Sequence, residues 1–551
     1  MAAGCALDGF WLPRALRDRV LAEAEWETLW LRDGAIVTSD FPGAVPVRWP
    51  RLTDPQWSRL IPELQRARSA GGREILARWK DAIDRTRSLL SERLRVMSPT
   101  LAACTGYSPA MIQSAFGLGE IVDPALLAHS MDSLPAWSSA RRWERIPGLP
   151  GLVRFYPRRA TDRMLHRLRS SGAIFRGAPS TDLALGFAAG NVPGTALMIG
   201  LLASLANYAG PPSGRAPAVL VRNSRHEPLF APLVLSAIES VDPGLLGALA
   251  LLVWDYQESS LQARLMSQAG LMIAAAGDDT IAALDSVRSQ VAPALRFHRH
   301  GHKVSFAVVE ADQVRLPGSP DPHHLALLSA VDSSMWDQNG CLSARVHFVA
   351  GDAEAYAREL ADRMRAVARL LPRGSTPRRL IHRAFDTHAS LGGRHPVRLC
   401  STYDDDFAVI VDARAGDPES MRKAVNLCMG RVIVVRPVRD VADVSRYLRW
   451  IPPSNLQSIS VSIAAERVEE FATEAGACGV TALRSLGRAA FPQLAHSWDG
   501  LLPPDVACLR PDGHFTAIEF DDLRAELAAT YERLSGLMSG AALGPLAQPS
   551  D

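Results

Sequence analysis

Leu183-Ala-Leu-Gly-Phe-Ala-Ala-Gly190-Asn191-Val192-Pro193-Gly194-Thr195-Ala-Leu-Met198 is the stretch on which the fold of this chain turns. No charged residue occurs from position 183 to 212, a run longer than a bilayer-spanning helix requires. Gly190-Asn191-Val192-Pro193-Gly194 sits inside it, however, and such a sequence ends a strand and opens a helix; it does not continue one helix through lipid. The reading is therefore a buried strand, a polar turn and a buried helix.

Outward from this unit the texture repeats. Residues 218–221, 249–254, 271–275 and 304–309 are short apolar runs separated by helix-length segments, which indicates βαβ units and a parallel sheet covered on both faces. A second α/β block begins near Pro320. Helices are expected over 324–331, 353–371, 418–427 and 464–475, and strands over 407–411, 432–435 and 459–463. Toward the N-terminus, residues 14–36 and 56–96 carry Arg, Glu, Leu and Trp at helical spacing, joined by a Pro-rich connector over 41–50. The expected organisation is a helical N-terminal region over 1–100, a Rossmann-like cofactor domain over 101–318 and a catalytic domain over 319–485. A C-terminal segment over 486–551 returns toward the cofactor domain or an oligomer contact, and the tail after Leu543 is expected to fray.

Composition narrows the function. The 551 residues hold 60 Lys+Arg against 58 Asp+Glu, a net charge of +2 that gives no field to steer the chain onto nucleic acid or an anionic membrane. Only Lys80, Lys303 and Lys423 among the basic residues are lysines. The seven cysteines are widely spaced with no CxxC pair, which argues against a disulfide framework or a structural zinc site. Met1 to Phe10 lacks a signal-peptide pattern, so a reducing cytoplasm is expected.

Two segments carry candidate chemistry. Trp336-Asp337-Gln338-Asn339-Gly340-Cys341-Leu342-Ser343 places a thiol after a polar, Gly-containing turn and just ahead of a strand. Asn191, at the end of a buried strand, can aim its amide at a carbonyl oxygen becoming an oxyanion. Each has a plainer reading: Cys341 as a small buried hydrophobe, and Asn191 as a helix cap. Together the two segments resemble the aldehyde dehydrogenase superfamily, and more closely its LuxC branch of acyl-CoA and fatty-acid reductases. The pattern Asp-Gln-x-x-Cys-Leu-Ser fits the nucleophile segment of that family, Gly-Asn-Val-Pro its oxyanion segment, and Trp498-Asp499-Gly500 is similar to a late feature of it.

The resemblance implies an aldehyde-dehydrogenase-like α/β fold with Cys341 as nucleophile and Asn191 in the oxyanion role. It also implies that Arg222, Ser224 and Arg225 meet the adenosine ribose, and that Gly277 and Thr280 lie in the turn facing the pyrophosphate. Arg222 and Arg225 stand where the superfamily usually has Lys and Glu. Two guanidiniums suit a 2′-phosphate, so NADPH is the expected cofactor. Arg299 stands where hydrolytic relatives carry a Glu base, and losing that base suits a reductase whose acyl-enzyme must not meet activated water. Lys303 falls where a Gly-x-Lys segment expects a lysine. His298, His300 and His302 alternate, but Gly301 interrupts them and the chemistry needs no ion, so no metal site is expected.

The expected reaction is NADPH-dependent reduction of an acyl thioester, on CoA or on a protein, to an aldehyde through an acyl-Cys intermediate. The alternatives are aldehyde oxidation with NAD(P)+ and a non-catalytic acyl-binding scaffold of the same fold. The resemblance further implies an acyl-protein synthetase or carrier protein as partner and a homo-oligomer, with no nucleic acid and no membrane insertion.

Overall fold

The computed structural model describes residues 6–538, apart from 70, 72, 115–141, 147, 159–179, 209–213, 256–257, 312–323, 376–377, 391–396, 415, 491–494, 497 and 504–512. The tail after Leu543 and part of the uncharged run, 209–212, lie outside the described residues. Cα packing divides the chain into two units, one of residues 1–138, 164–302 and 502–511, the other of residues 139–163, 303–501 and 512–551.

In the first unit, β1 (Leu7–Asp8), β2 (Glu25–Arg32), β3 (Ala35–Val37) and β4 (Val45–Arg51) form a sheet in the order β1-β4-β2-β3. The expectation of a helical N-terminal region is corrected here. Arg14–Leu21, Asp54–Arg66 and Arg73–Thr105 are helical, but β2 and β3 stand where helix was expected, and β4 occupies the Pro-rich connector. The cause is local. Asp33 and Gly34 are both left-handed, at φ 54° and 74°, the geometry of a two-residue hairpin turn for which Asp-Gly is well suited. Trp and Thr in β2 fit a pleated strand better than a helix.

The second sheet of this unit holds β6 (Leu183–Phe187), β7 (Ala218–Arg222), β8 (Leu249–Leu252), β9 (Leu271–Ala275) and β10 (Arg296–His300), all parallel, in the order β10-β9-β6-β7-β8. β6 to β9 are covered on both faces, which is why they read as unbroken apolar runs. The chain steps outward from β6 through β7 and β8, then returns to add β9 and β10. That reversal opens a crevice at the carboxyl ends of β6 and β9, the usual place for a nucleotide. Gly186 lets the helix Thr195–Ser204 lie directly on β6, since a Cβ there would stand 2.5 Å from Ile199 Cγ2. At the far edge, Trp11 exchanges two backbone hydrogen bonds with Leu251 on β8, at 2.7 and 2.8 Å. Among the described residues no helix is long and apolar enough to cross a membrane.

The second unit is built on one nine-stranded sheet of β5 (Leu152–Pro157), β11 (Val304–Glu310), β12 (Ala344–Ala350), β13 (Val397–Leu399), β14 (Ala408–Asp412), β15 (Val432–Val438), β16 (Leu456–Ser462), β17 (Ala482–Ser485) and β18 (Gly513–Ile518). Its order is β13-β14-β15-β12-β11-β16-β17-β18-β5, with the outermost β13 and β5 antiparallel and every other pairing parallel. The boundaries therefore differ from those expected. β11 pairs with β12 and β16, so the change of unit falls at 302/303 and not at 318/319, and β5 joins this sheet although it precedes β6 in the chain.

Gly186→Ala should lower stability by about 1–3 kcal/mol through overpacking against Ile199. Gly536→Ala, in the helix Leu523–Met538 with open space around the added methyl, should instead raise it by up to ~1 kcal/mol. Thermal unfolding midpoints of the two variants check the contrast.

Candidate active site

In the first unit, three loops follow the carboxyl ends of β6, β7 and β9. Gly190 and Ser224 bring the first two together, since a Cβ on Gly190 would fall 2.2 Å from Ser224 Oγ. Asn191 is exposed at the tip of the first loop, where its backbone carbonyl accepts a hydrogen bond from the Tyr107 hydroxyl. Gly194 caps the following helix. Glu227, which the sequence reading passed over, ties the loops from below. Its buried carboxylate accepts from the backbone N–H of Phe230 at 2.8 Å, and also from Gly194 and Leu229. Burial wins over those donors and pushes its carboxyl up to about 8. A Glu one residue before Pro228 at a helix start was the available signal.

The predicted cofactor residues occupy these loops. Arg222 donates from Nε to the carbonyl of Trp254 at 2.9 Å, and Arg225 lies 3.5 Å from Asp255 Oδ2. Ser224 is buried, and its Oγ accepts from the N–H of His226. Gly277 caps the helix Asp278–Val291 without a side-chain cap, and a Cβ at Gly277 would meet nothing within 4 Å. Backbone amides at an open helix start fit a pyrophosphate. Thr280 is in that first turn, and Asp278 is held away, its Oδ1 accepting from the N–H of His302 at 2.7 Å. Arg299, half-exposed on β10, pairs with Asp285 at 2.8 Å. His298 and His300 are buried on one face of β10, and among the described residues no group of His, Cys, Asp and Glu could hold a metal ion.

In the second unit the Cys341 segment follows the helix His324–Ser334. Trp336, Asp337 and Gln338 are consecutive left-handed residues, at φ 53°, 47° and 59°, and all three are buried. Such a backbone costs about 1–3 kcal/mol per residue and persists only where its surroundings impose it. Asp337 supplies the restraint. Its Oδ1 accepts from Arg431 Nε at 2.9 Å and its Oδ2 from the N–H of Gly374 at 3.0 Å, while Arg431 also donates to the carbonyl of Leu371 at 2.8 Å. Gln338 closes the loop by donating from Nε2 to the carbonyl of Ala344 at 2.9 Å. The motif residues ahead of the cysteine thus fold its loop against β12.

Cys341 is half-buried at the amino-terminal edge of the parallel sheet. Ser305 Oγ, near the start of β11, donates to its carbonyl at 2.8 Å. Burial, and next the charge of Asp499, push the thiol up to about 11, against a hydrogen bond from the Gln457 side chain, the charge of Arg484 and the residue's own N–H. Asp499 belongs to the turn Trp498–Leu501, and its Oδ1 accepts from Gln457 Nε2 at 2.6 Å. Gly500, at φ 79°, seats that turn against His514 and Thr481. This gives the Trp498-Asp499-Gly500 motif a place beside the thiol. Lys303, ahead of β11, donates from Nζ to the carbonyl of Ser454 at 2.8 Å and stands 4.0 Å from Asp499 Oδ2.

The sequence model of the LuxC family, described as acyl-CoA reductase, matches residues 163–505, more than half of the chain. No curated protein matches the chain. Among solved structures, an NAD-dependent benzaldehyde dehydrogenase from Corynebacterium glutamicum is 11% identical with a TM-score of 0.53, covering 89% of this chain and 98% of its own. Aldehyde dehydrogenase 21 from Physcomitrella patens is 12% identical with a TM-score of 0.53, over 89% and 97%. Lactaldehyde dehydrogenase from Escherichia coli is 13% identical with a TM-score of 0.50, over 90% and 97%. The fold is aldehyde-dehydrogenase-like.

Arg431→Met should destabilise the protein by about 3–5 kcal/mol, because it leaves the Asp337 carboxylate buried without its cation; the thermal midpoint reads this. With its thiol near 11, Cys341 is ionised in roughly one molecule in ten thousand at pH 7. Its alkylation by iodoacetamide should rise about tenfold per pH unit from 7 to 10 with no plateau.

Proposed function

The chain belongs to the LuxC family of acyl-CoA reductases, and from that membership and the setting of Cys341 we infer that it reduces an acyl thioester to an aldehyde with NADPH. Family and fold support aldehyde-related oxidoreductase activity, and the family acts on acyl substrates. The observation that carries the finer reading is the Cys341 loop. A strained, buried Asp337-Gln338 segment holds one thiol at the open edge of a sheet, beside an amide donor.

In this reading Cys341 Sγ attacks the thioester carbonyl, and Asn191 with the backbone N–H of Cys341 stabilises the oxyanion. The carbon–sulfur bond to the carrier breaks, the carrier thiolate takes up a proton, and the acyl group stays on Cys341. A reduced nicotinamide, when bound, supplies the hydride to the acyl carbon. Collapse of the resulting thiohemiacetal oxyanion breaks the bond to Cys341, which leaves as thiolate as the aldehyde departs. The residue that activates water in hydrolytic relatives is Arg299 here, engaged with Asp285. Without a carboxylate base in that place, the acyl group on Cys341 is spared attack by activated water.

Arg222 and Arg225 support the 2′-phosphate and hence NADPH, with the Gly277 and Thr280 turn holding the pyrophosphate. Asp255 favours a second reading. Its carboxylate beside Arg225 could accept from a ribose 2′-hydroxyl and would repel a 2′-phosphate, which suits NADH. The proposal extends, on the resemblance, to an acyl-protein synthetase or carrier as partner, to a homo-oligomer and to a cytoplasmic location.

NADPH consumption across acyl-CoAs of increasing length tests the reaction. The wild type should turn over, and Cys341→Ala should lose at least about a thousandfold of the rate. Faster oxidation of aldehyde to free acid would replace this reading with the oxidative one. An acyl adduct that persists on Cys341 in intact mass after NADPH is added would replace it with the scaffold. Arg225→Ala should raise the KM for NADPH more than for NADH if the 2′-phosphate is bound there. An equal effect on both supports the Asp255 reading.

A further inference from the structure

Around Cys341 three side chains from separate elements meet, and the reaction described above assigns them no part. Gln457, in β16, is 95% buried by its 5% exposure, and its backbone is pinned because the N–H and hydroxyl of Thr481 both donate to its carbonyl, at 2.7 and 2.8 Å. Its side-chain Nε2 donates to Asp499 Oδ1 at 2.6 Å, and the same side chain hydrogen-bonds the Cys341 thiol. Among the described residues its Oε1 is buried with no partner. Asp499 is left-handed at φ 50°, with a side chain only 3% exposed, and the Lys303 ammonium, 10% exposed, stands 4.0 Å from its second oxygen.

We propose that Gln457 is the positioning residue of the Cys341 sulfur, with Asp499 as the carboxylate that orients its amide and Lys303 as the cation that balances that carboxylate. An amide NH2 has two hydrogens. The carboxylate takes one and thereby decides which end of the amide lies inward, leaving the other hydrogen for sulfur. Rotated by half a turn, the amide would offer Oε1 to a developing thiolate and oppose it. The cost of that arrangement is visible, since a buried Oε1 without a partner is tolerated in a folded protein only for a reason. Asp499 also carries a price in reactivity, for its negative charge holds the resting thiol protonated. Thiolate forms only as a substrate carbonyl is ready to receive it, which spares a half-buried cysteine from adventitious oxidation.

The inference rests on Cys341 as the nucleophile, but its test needs neither acyl-CoA nor cofactor. The charged groups acting on the sulfur are Asp499 from its turn, Arg484 from β17 and Arg345 from β12, and Lys303 ahead of β11 faces Asp499. The full chain is alkylated with iodoacetamide from pH 6.5 to 10.5, and the adduct is quantified on the Cys341 peptide by mass, because Cys400 is also only part-buried. Asp499→Asn keeps an acceptor for the amide and removes the charge. Its profile should move to lower pH, with alkylation at pH 8 about three- to tenfold faster. Gln457→Met removes the donor and nearly keeps the volume. Its profile should move to higher pH, with alkylation about tenfold slower.

Opposite shifts support the proposal. Shifts in the same direction, or none, overturn it, because a packing role would loosen the loop and speed both. If Gln457→Met does not fold, Gln457→Asn, too short to reach the sulfur, should show the same slowing. Failure of the reductase reading would appear separately, as no acyl adduct on Cys341 while the two variants still shift in opposite directions.

Discussion

Asp337 and Arg431 meet at 2.9 Å with side-chain exposures of 0% and 1%, and the loop that carries Cys341 is arranged around that contact. A buried ion pair contributes little net stability compared with a well-packed apolar pair, yet losing either partner alone is severe. What it provides here is direction. Three consecutive residues in left-handed geometry have no intrinsic reason to stay there, and a two-oxygen acceptor satisfied by Arg431 and by the Gly374 amide removes the alternatives. Arg431 is itself left-handed, at φ 69°, so both ends of the contact are committed before the cysteine loop begins.

The two units use their sheets in opposite senses. In the first, the loops of interest leave the carboxyl ends of β6, β7 and β9, where strand order reverses and helix starts present backbone amides. In the second, Lys303, Cys341 and Gln457 cluster at the amino-terminal side of β11, β12 and β16. Since these strands are parallel and adjacent, their starts form one edge. That edge gathers a thiol, an amide, a carboxylate and an ammonium from segments far apart in sequence.

Much of this could be read from the sequence where the signal was local. The apolar runs at 183–189, 218–221, 249–254, 271–275 and 304–309 became β6 to β9 and β11, because a strand covered on both faces cannot hide its composition. The helix expected over 418–427 is Pro418–Leu427, capped by Asp417 with Pro418 in its first turn. Residues 25–36 form strands in place of the expected helix, because the Asp33-Gly34 turn overrides their helical spacing. Cys341 stood out through its motif, but the work of Asp337 depends on an arginine 94 residues away, and no spacing rule reaches that far. Gln457 was invisible for the same reason, being one polar residue in a buried strand until Asp499 was placed beside it.

The backbone exchange between Trp11 and Leu251 bears on how this molecule behaves in a crowded solution. β8 ends its sheet, and a fully buried strand of Leu and Ala with an open hydrogen-bonding edge is a template onto which a foreign strand can add. Trp11 occupies that edge at its middle through its backbone, and its side chain is buried. A segment outside the parallel sheet therefore covers that edge where a foreign strand would otherwise add, through the backbone of Trp11.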